Sequence, residues 1–375
     1  MNLPPVSEHH AKPDVLVIGG GITGSSIALS LAEKGVSVTL LERGRIGNAA
    51  SGRNGGGVRQ QNRHPAELEL AMSAVKLWQK MEQRVGEDVG YRQTGNLRLI
   101  EKEPALKSFA AEVKRQVDSG LEVQFLSPEE VRQRLPALSP KITILGATYC
   151  PTDGVADPLK ATRAIARAAA RKGAEIFECE AVASVQVNGG RVESVTTERG
   201  KYRADLYVNA AGPWAQSICQ MMGLDFPIEI KRSQIAVTEP LPPIISEFVS
   251  ADAGYMRQAE SGGFHLGYRS EPVEGFNTDV TLKALLNMSE GYTRLFPVLA
   301  NVRIIRSWAG ITHWTPDHFP ILDRSPQLKN LFLCAGFSGH GFCLGPGVGQ
   351  AIAQWIIRGQ PGIDLGNFRW KRFVE

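Results

Sequence analysis

The chain has 375 residues, 43% hydrophobic and 21% charged, a composition typical of a soluble globular protein long enough for two domains. Its 42 basic and 38 acidic residues give a net charge of +4 and are mixed along the sequence, so the charge pattern gives no support to nucleic-acid binding. No apolar run approaches membrane-spanning length, and residues 1–14 lack the cationic start and apolar core of a secretory signal, so we expect a cytoplasmic protein.

The first predicted element is the segment VLVIGGGITG, an apolar strand that breaks into three glycines before a helix. Gly19 permits the tight turn, Gly21 lets the backbone approach a pyrophosphate, and Gly24 lets the helix pack against the strand. A second strand ends at Glu42, whose carboxylate is placed to accept hydrogen bonds from ribose hydroxyls and would repel a 2′-phosphate. This unit predicts a dinucleotide site unsuited to NADP and leaves FAD and NAD both open.

Residues 44–61 follow, a segment too rich in glycine and polar residues to be a packed element. A loop of this length inside a compact domain is usually functional. Gly55, Gly56 and Gly57 would let the backbone lie directly against a flat ligand, and Arg59 adds a fixed charge. We interpret the segment as a ligand-binding loop; the alternative is a flexible surface loop.

The next predicted elements alternate helix and strand. Trp78, on the first of these helices, is interpreted as a core residue. Ser127 and Glu130 form a capping box that starts the second helix. In chain order the elements are a helix over 65–85, a strand over 91–101, a helix beginning after Ser127, a strand over 146–150 and a helix over 157–172.

A β-meander is predicted over residues 176–208, where three short strand-like runs are separated by turns. It ends in LYVNAAGPW, in which small residues and Gly212 follow a strand and fit the close approach of a ligand. The glycine triplet, the meander and this returning strand together favour an FAD-binding oxidoreductase over a simple NAD dehydrogenase.

Two segments complete the chain. Residues 226–320 alternate strand-like runs with one helix near 281–295 and lack a glycine fingerprint, which predicts an inserted antiparallel sheet. Residues 329–357 return to a buried strand, a glycine-rich turn and a helix predicted to start near Pro346. The N-terminus of that helix would stabilise negative charge on a reduced flavin ring; the alternative is a turn that serves packing only.

The predicted fold class is α/β, or α+β overall, with a Rossmann-like FAD-binding domain and an interleaved antiparallel-sheet substrate-binding domain. The FAD-binding domain is predicted to be discontinuous and to comprise residues 13–90, 151–225 and 324–370. The substrate-binding domain comprises residues 91–150 and 226–323.

The chain has five cysteines, which are the residues that could hold an iron–sulfur cluster or another metal site for electron transfer. They contain no CxxC pair and no spacing suited to zinc or an iron–sulfur cluster, so we predict no metal site and interpret most of them as buried reduced thiols. Electrons that leave a bound cofactor must then pass to another chain. The cysteines are Cys150, Cys179, Cys219, Cys334 and Cys343.

Six motifs in register resemble the D-amino-acid oxidase-like superfamily, specifically the branch with glycine oxidase, monomeric sarcosine oxidase and the FAD-carrying β subunits of amino-acid and opine dehydrogenases. The motifs are GGGITG, LLERG, SGRNGGGVR, VNAAGPW, WAGITHWTPDHFPILD and GFSGHGFCLGPGVG. They are highly specific for the superfamily and much less specific for substrate. The resemblance implies hydride removal from a carbon that bears an amine, giving an imine that hydrolyses.

The resemblance also implies the cofactor contacts. The turn over 336–344 would lie along the isoalloxazine edge through Gly336, Ser338, Gly339, His340, Gly341 and Phe342. Where sarcosine oxidase carries its flavin on a cysteine, this chain has Gly310, which implies non-covalent FAD. The residues implied to contact adenosine and pyrophosphate are Ile22, Thr23, Glu42, Arg43, Ser51 and Val182.

On the substrate side, Arg59 matches a carboxylate-binding arginine of sarcosine oxidase and Tyr255 matches a substrate-lining tyrosine. Glycine oxidase has a further carboxylate-binding arginine where this chain has Thr312. Carboxylate capture then relies on Arg59 or on another group such as Arg257 or Arg269.

His265 aligns with the lysine that promotes the reaction of sarcosine oxidase with oxygen. A histidine that is largely neutral at pH 7 gives less electrostatic help to superoxide formation than a fixed ammonium. This difference favours a dehydrogenase over an oxidase; the alternative role of His265 is that of a hydrogen-bonded strand residue.

The resulting hypothesis is an FAD-dependent dehydrogenase that oxidises the C–N bond of a secondary amino acid of opine, sarcosine, proline or hydroxyproline type. It would act as the catalytic subunit of a hetero-oligomer whose other chains carry the electrons onward. One alternative is a self-sufficient glycine- or sarcosine-type oxidase that releases hydrogen peroxide, and another is a non-catalytic FAD-binding scaffold subunit.

Overall fold

The computed structural model describes residues 12–373, so most of the N-terminal segment on which the expectation of no secretory signal depends lies outside the described residues. Within the described range no helix is both long and apolar enough to cross a membrane. The helices there are α1 Ile22–Ala32, α2 Pro65–Gln79, α3 Met81–Val85, α4 Glu103–Asp118, α5 Pro128–Arg134, α6 Pro158–Arg171, α7 Ala215–Gln220, α8 Leu282–Leu295 and α9 Gly341–Arg358.

The strands form two large sheets and two small ones. They are β1 Val15–Ile18, β2 Val38–Glu42, β3 Gly57–Val58, β4 Asn96–Ile100, β5 Gln124–Leu126, β6 Gly146–Cys150, β7 Gly154–Val155, β8 Glu175–Glu178, β9 Ser184–Asn188, β10 Arg191–Thr196, β11 Lys201–Tyr202, β12 Leu206–Asn209, β13 Glu229–Pro240, β14 Phe248–Ala251, β15 Gly254–Gln258, β16 Gly263–Gly267, β17 Glu271–Pro272, β18 Ile304–Trp314, β19 Ile321–Arg324 and β20 Leu331–Ala335.

A six-stranded sheet forms the first domain, in the order β19-β20-β12-β1-β2-β8. Its pairings are parallel except that between β19 and β20. The central strand β1 is fully buried because helices cover it, as expected for a parallel sheet. Helices α1 and α9 pack closely, since a Cβ on Gly349 would lie 2.5 Å from that of Ser26. The predicted Rossmann-like fold is confirmed, and β9, β10 and β11 form the predicted meander.

A nine-stranded sheet forms the second domain, in the order β17-β13-β16-β15-β14-β4-β6-β5, with β18 paired to β13. Helix α8 covers one face through buried residues such as Met288 and Tyr292, which pack against Phe264. The sheet is not wholly antiparallel as predicted, because β4 and β14 pair in parallel. About 150 residues separate these strands in the chain, so no hairpin forces them to run in opposite directions.

Several predicted boundaries were wrong. The helix over 65–85 is two helices that meet at Lys80, and the strand over 91–101 is limited to β4. Helix α9 starts at Gly341 and contains Pro346, whose fixed φ suits a helix although it lacks an amide donor. Strand β19 belongs to the six-stranded sheet, so the first domain resumes before Ile321 and not at 324. The prediction that Trp78 is a core residue is confirmed, since it is 0% exposed.

Candidate active site

A cleft of about 580 Å³ runs between the two domains. It begins at the carboxyl ends of β1, β2 and β12, where a parallel sheet presents its ligand-binding edge. It continues along residues 48–54 to the C-terminal end of β18 and the first turn of α9. Of the predicted cofactor residues, those that line it are Gly19, Gly21, Ile22, Thr23, Glu42, Arg43, Ser51, Val182, Gly212, Gly339, Gly341 and Phe342.

The glycine turn between β1 and α1 leaves no room for side chains. Gly19 has φ +110°, and a Cβ there would lie 2.5 Å from the Ala210 carbonyl oxygen. A Cβ on Gly21 would lie 3.0 Å from Ser51 Oγ, which accepts a hydrogen bond from the Ile22 amide at 2.9 Å. Helix α1 has no acidic residue in its first turn. Its N-terminus therefore suits an anionic pyrophosphate.

Gly24 does not line the cleft. A Cβ at this position would overlap the Gly19 carbonyl oxygen, so the glycine is required for close packing of α1 against the turn. This is the packing role that the sequence motif predicts for the third glycine.

Glu42 is held at the end of β2 by backbone amides. Its two carboxylate oxygens accept hydrogen bonds from the Gly20 and Gly44 amides, each at 2.7 Å. Burial raises the pKa of Glu42, and the two amides oppose that shift. The carboxylate faces the cleft with capacity for further donors, as a ribose diol requires.

Trp214 and Arg53 are two of the cleft residues that the sequence analysis missed. Trp214, just after β12, lines the cleft, and the guanidinium carbon of Arg43 lies 4.2 Å from its ring centroid. Arg53 also lines the cleft, and it donates hydrogen bonds to the Ala309 and Asn48 carbonyls at 3.1 and 3.0 Å. The signal for Trp214 was its place directly after a strand that ends in small residues.

Some residues of the turn before α9 line the cleft, and others pack against the protein. Gly339, Gly341 and Phe342 line the cleft. Gly336 and Ser338 do not; a Cβ on Gly336 would overlap Thr315, and Ser338 Oγ donates to the Gly336 carbonyl at 3.2 Å. Ser338 has φ +48°, so its hydroxyl holds a left-handed turn.

His340 is turned away from the cleft and contacts α2 instead. Its Nδ1 lies 2.8 Å from a carboxylate oxygen of Glu67, which is buried on α2. Arg63 is also buried, pairs with the same carboxylate at 3.5 Å, and donates two hydrogen bonds to the Arg59 carbonyl. Burial and Arg63 lower the pKa of His340 to about 4, although Glu67 opposes the shift. A buried ionic network thus links the main chain of Arg59 to the turn before α9.

The glycines of the loop over 44–61 accommodate protein side chains. A Cβ on Gly55 would overlap the Tyr255 ring, and a Cβ on Gly56 would overlap the Ala156 carbonyl oxygen. One side of Gly55 and of Gly56 is therefore occupied by the protein. That their backbone lies against a flat ligand stays a prediction.

Tyr255 is fixed in a narrow slot. Its ring lies between Gly55 and Gly267, where any Cβ would overlap it, and it stacks on Phe248 with centroids 5.3 Å apart. Burial raises the pKa of Tyr255 to about 12, so the phenol keeps its proton at neutral pH. Arg257, two residues along β15, donates to the Gly55 carbonyl at 2.7 Å.

Arg59 lies directly behind the first turn of α9, where its carbonyl accepts a hydrogen bond from Cys343 Sγ at 3.2 Å. Within residues 12–373 its guanidinium makes no hydrogen bond or ion pair. Burial and Arg63 lower its pKa to about 10, and the nearby carboxylate of Asp153 opposes the shift, so Arg59 stays charged at neutral pH. Its half-buried guanidinium therefore has hydrogen-bond donors that no described residue uses.

His265 lies on β16, opposite Arg257 on β15. Its Nδ1 is buried without a hydrogen-bond partner among the described residues, and its ring lies 6.0 Å from Trp308. Burial and the charge of Arg257 lower the pKa of His265 to about 4. The imidazole is therefore neutral at pH 7.

Arg269 is not brought to these residues. It is exposed, and it donates a hydrogen bond to the Asp252 carbonyl at 2.9 Å. Tyr255 and Arg257 on β15 contact Gly55, and Arg257 lies opposite His265 on β16. Arg59 lies instead beside Arg63, Asp153 and Cys343, and none of the four predicted substrate-side residues Arg59, Tyr255, Arg257 and His265 is among those that line the cleft. Arg269 holds the turn between β14 and β15.

The family model of the DAO family, described as FAD dependent oxidoreductase, matches residues 14–355. The solved structure of L-proline dehydrogenase from P. horikoshii is 33% identical and has a TM-score of 0.92, with 96% of this chain and 97% of that one covered. Sarcosine oxidase subunit beta of Rhizobium meliloti is 31% identical over 96% of this chain and 88% of the other. Mouse mitochondrial sarcosine dehydrogenase is 29% identical over 96% of this chain, which spans only 41% of that relative.

Proposed function

We propose that this chain, which belongs to the DAO family of FAD-dependent oxidoreductases, oxidises the C–N bond of a secondary amino acid and passes the electrons to a partner subunit. FAD is the family's cofactor and supplies the acceptor for the hydride that leaves the substrate carbon. The glycine turn, the amide-held Glu42 and the N-terminus of α1, whose N-cap residue Gly21 has no side chain, fit the ribose and pyrophosphate of a non-covalent dinucleotide.

The free guanidinium of Arg59 is the observation that carries the proposal. A half-buried cation without a hydrogen-bond partner in the described chain has its donors available to a ligand. The planar guanidinium of Arg59 matches the geometry of a carboxylate and would hold the carboxylate of an amino acid by two parallel hydrogen bonds. Tyr255, whose ring is fixed between Gly55 and Gly267, would limit the orientations of a substrate held on the same loop.

The names of the relatives support a secondary amine. Sarcosine and L-proline, which appear in them, both carry a nitrogen bonded to two carbons. The term subunit beta in one of these names supports the proposed transfer of electrons to a partner. The neutral His265 supports a dehydrogenase, because it offers no fixed positive charge for oxygen reduction.

The test is anaerobic reduction of the flavin in the purified holoenzyme. Sarcosine, L-proline, hydroxyproline, N-(carboxyalkyl) amino acids, glycine and D-alanine are added separately, and the flavin absorbance is followed. We expect bleaching by one or more secondary amino acids and slow recovery after air is admitted. Rapid recovery with stoichiometric peroxide would identify an oxidase, and no bleaching by any of these compounds would favour a scaffold role.

A further inference from the structure

The loop over residues 273–281 joins β17 to α8 in the second domain, yet it reaches across to the first. The ring of Phe276 stacks on that of Trp214, with centroids 4.9 Å apart and planes inclined by 16°. Thr278, two residues later, lines the cleft. Phe276 is 42% exposed, so this large apolar side chain is held at the mouth of the cleft and not in a core.

The loop is anchored to β13 next to its contacts with the first domain. Phe276 stacks on Trp214 and Thr278 lines the cleft, whereas the Asn277 side chain and the Asp279 main chain bond to Arg232 on β13. Arg232 Nη1 donates to Asn277 Oδ1 at 3.3 Å and to the Asp279 carbonyl at 2.9 Å. The Asp279 amide also donates to Asn277 Oδ1 at 2.7 Å, which closes a turn directly after Phe276. The anchor on β13 therefore fixes the position of this turn and of the residues on either side of it.

The anchor is itself well held. Arg232 pairs with Glu271 at 2.8 Å, and its side chain is only 12% exposed. Gln234, which is fully buried, donates to the same carboxylate at 2.6 Å and accepts a hydrogen bond from the Thr281 amide at 2.7 Å. Both ends of the loop are therefore fastened to β13, and its position over the cleft is defined by the fold.

The stack lies at one end of the cleft. The guanidinium carbon of Arg43 also lies over the ring of Trp214, 4.2 Å from the ring centroid. Arg43 directly follows Glu42 in the chain. This end is the one that receives the ribose in the proposed orientation of FAD, on which the following inference rests. The flavin would lie at the other end, beside the first turn of α9.

We propose that Phe276 is a cofactor-retaining residue: with the loop over 273–281, it closes the adenosine end of the cleft and slows the release of FAD. The loop belongs to the substrate-binding domain, so the cofactor is held by both domains at both of its ends. An aromatic stacking contact of this kind corresponds to a roughly three- to tenfold change in an equilibrium or release rate.

The experiment measures FAD release from the holoenzyme, followed as the rise in flavin fluorescence after dilution. Phe276→Ala should release FAD roughly three- to tenfold faster than the wild type, and Phe276→Tyr should restore the slow rate because it keeps the ring. Arg232→Gln, which loosens the anchor, should also accelerate release. The matched control is Phe125→Ala, which truncates a phenylalanine of similar exposure (38%) on β5.

A wild-type release rate in Phe276→Ala would overturn the inference, as would equal acceleration in Phe125→Ala. Melting temperatures of the variants verify that each is folded. Glu42→Gln separates the inference from its premise. If Glu42→Gln accelerates release and Phe276→Ala does not, the orientation of FAD stands and the retaining role fails; if neither does, the proposed orientation fails as well.

Discussion

Replacement of Arg59 by alanine is the most direct test of how substrate is held. The guanidinium makes no hydrogen bond or ion pair within residues 12–373, so its donors are available to a ligand. Hydrogen bonds to charged groups contribute about 1.5–3 kcal/mol each, and a bidentate carboxylate accepts two. Allowing for the attraction of Arg59 to Asp153, which a ligand must share, we expect a loss of about 3–4 kcal/mol.

That loss corresponds to a fall in affinity of roughly 200- to 1,000-fold. The assay is the dissociation constant of a small unreactive carboxylate, such as propionate, measured from the change that it causes in the flavin absorbance spectrum. The value of kcat/KM for the best secondary amino acid should fall by a similar factor. Arg59→Lys keeps the charge but loses the two parallel N–H donors, so its loss of carboxylate affinity should lie between those of the wild type and Arg59→Ala.

The matched control is Arg269→Ala, since Arg269 is exposed and bonds only to the Asp252 carbonyl in the described structure. Its carboxylate affinity should equal that of the wild type within about twofold. An unchanged affinity in Arg59→Ala, or an equal loss in Arg269→Ala, would refute the assignment of carboxylate binding to Arg59.

Three further variants test the surroundings. His265→Lys places a fixed ammonium where the imidazole is neutral, so stopped-flow reoxidation of the reduced flavin by oxygen should be roughly tenfold faster or more; an unchanged rate contradicts this role. Glu67→Gln leaves the buried Arg63 without its anionic partner, and urea unfolding should show a loss of about 3 kcal/mol or more; a loss below about 1 kcal/mol would show that the pair is dispensable. Burial raises the pKa of Asp153 from 3.8 to about 6, so the folded chain keeps a proton that the unfolded chain releases between these values. Stability should therefore fall by about 2 kcal/mol as pH rises from about 4 to 6, and Asp153→Asn should abolish this dependence in urea titrations at the two pH values.

The adenosine half of the site was predictable because its signals are local. Gly19, Gly21 and Glu42 follow a strand–turn–helix–strand pattern in which each residue has a role set by its near neighbours. The packing role of Gly24 follows from the same pattern. In the structure the first three residues line the cleft, whereas Gly24 packs against the turn.

The neighbours of the loop glycines could not be predicted from such local patterns. What fills the space beside Gly55 is Tyr255, which lies 200 residues further along the chain. His340 is likewise turned to Glu67, more than 270 residues before it. Such contacts depend on how the two sheets face each other, and neither composition nor periodicity contains that information. The parallel pairing of β4 with β14 escaped prediction for the same reason.

The order of strands in the first sheet has a consequence for synthesis and assembly. The central strand β1 is translated long before its neighbours in the sheet, since β12 begins at Leu206 and the next strand, β20, begins at Leu331. Such non-local pairing gives a high contact order and slow folding. The nascent chain therefore lacks the complete six-stranded sheet until β20 has been translated. We expect FAD to be inserted only after that point, and no proteolytic fragment that lacks β1 or β20 to retain it.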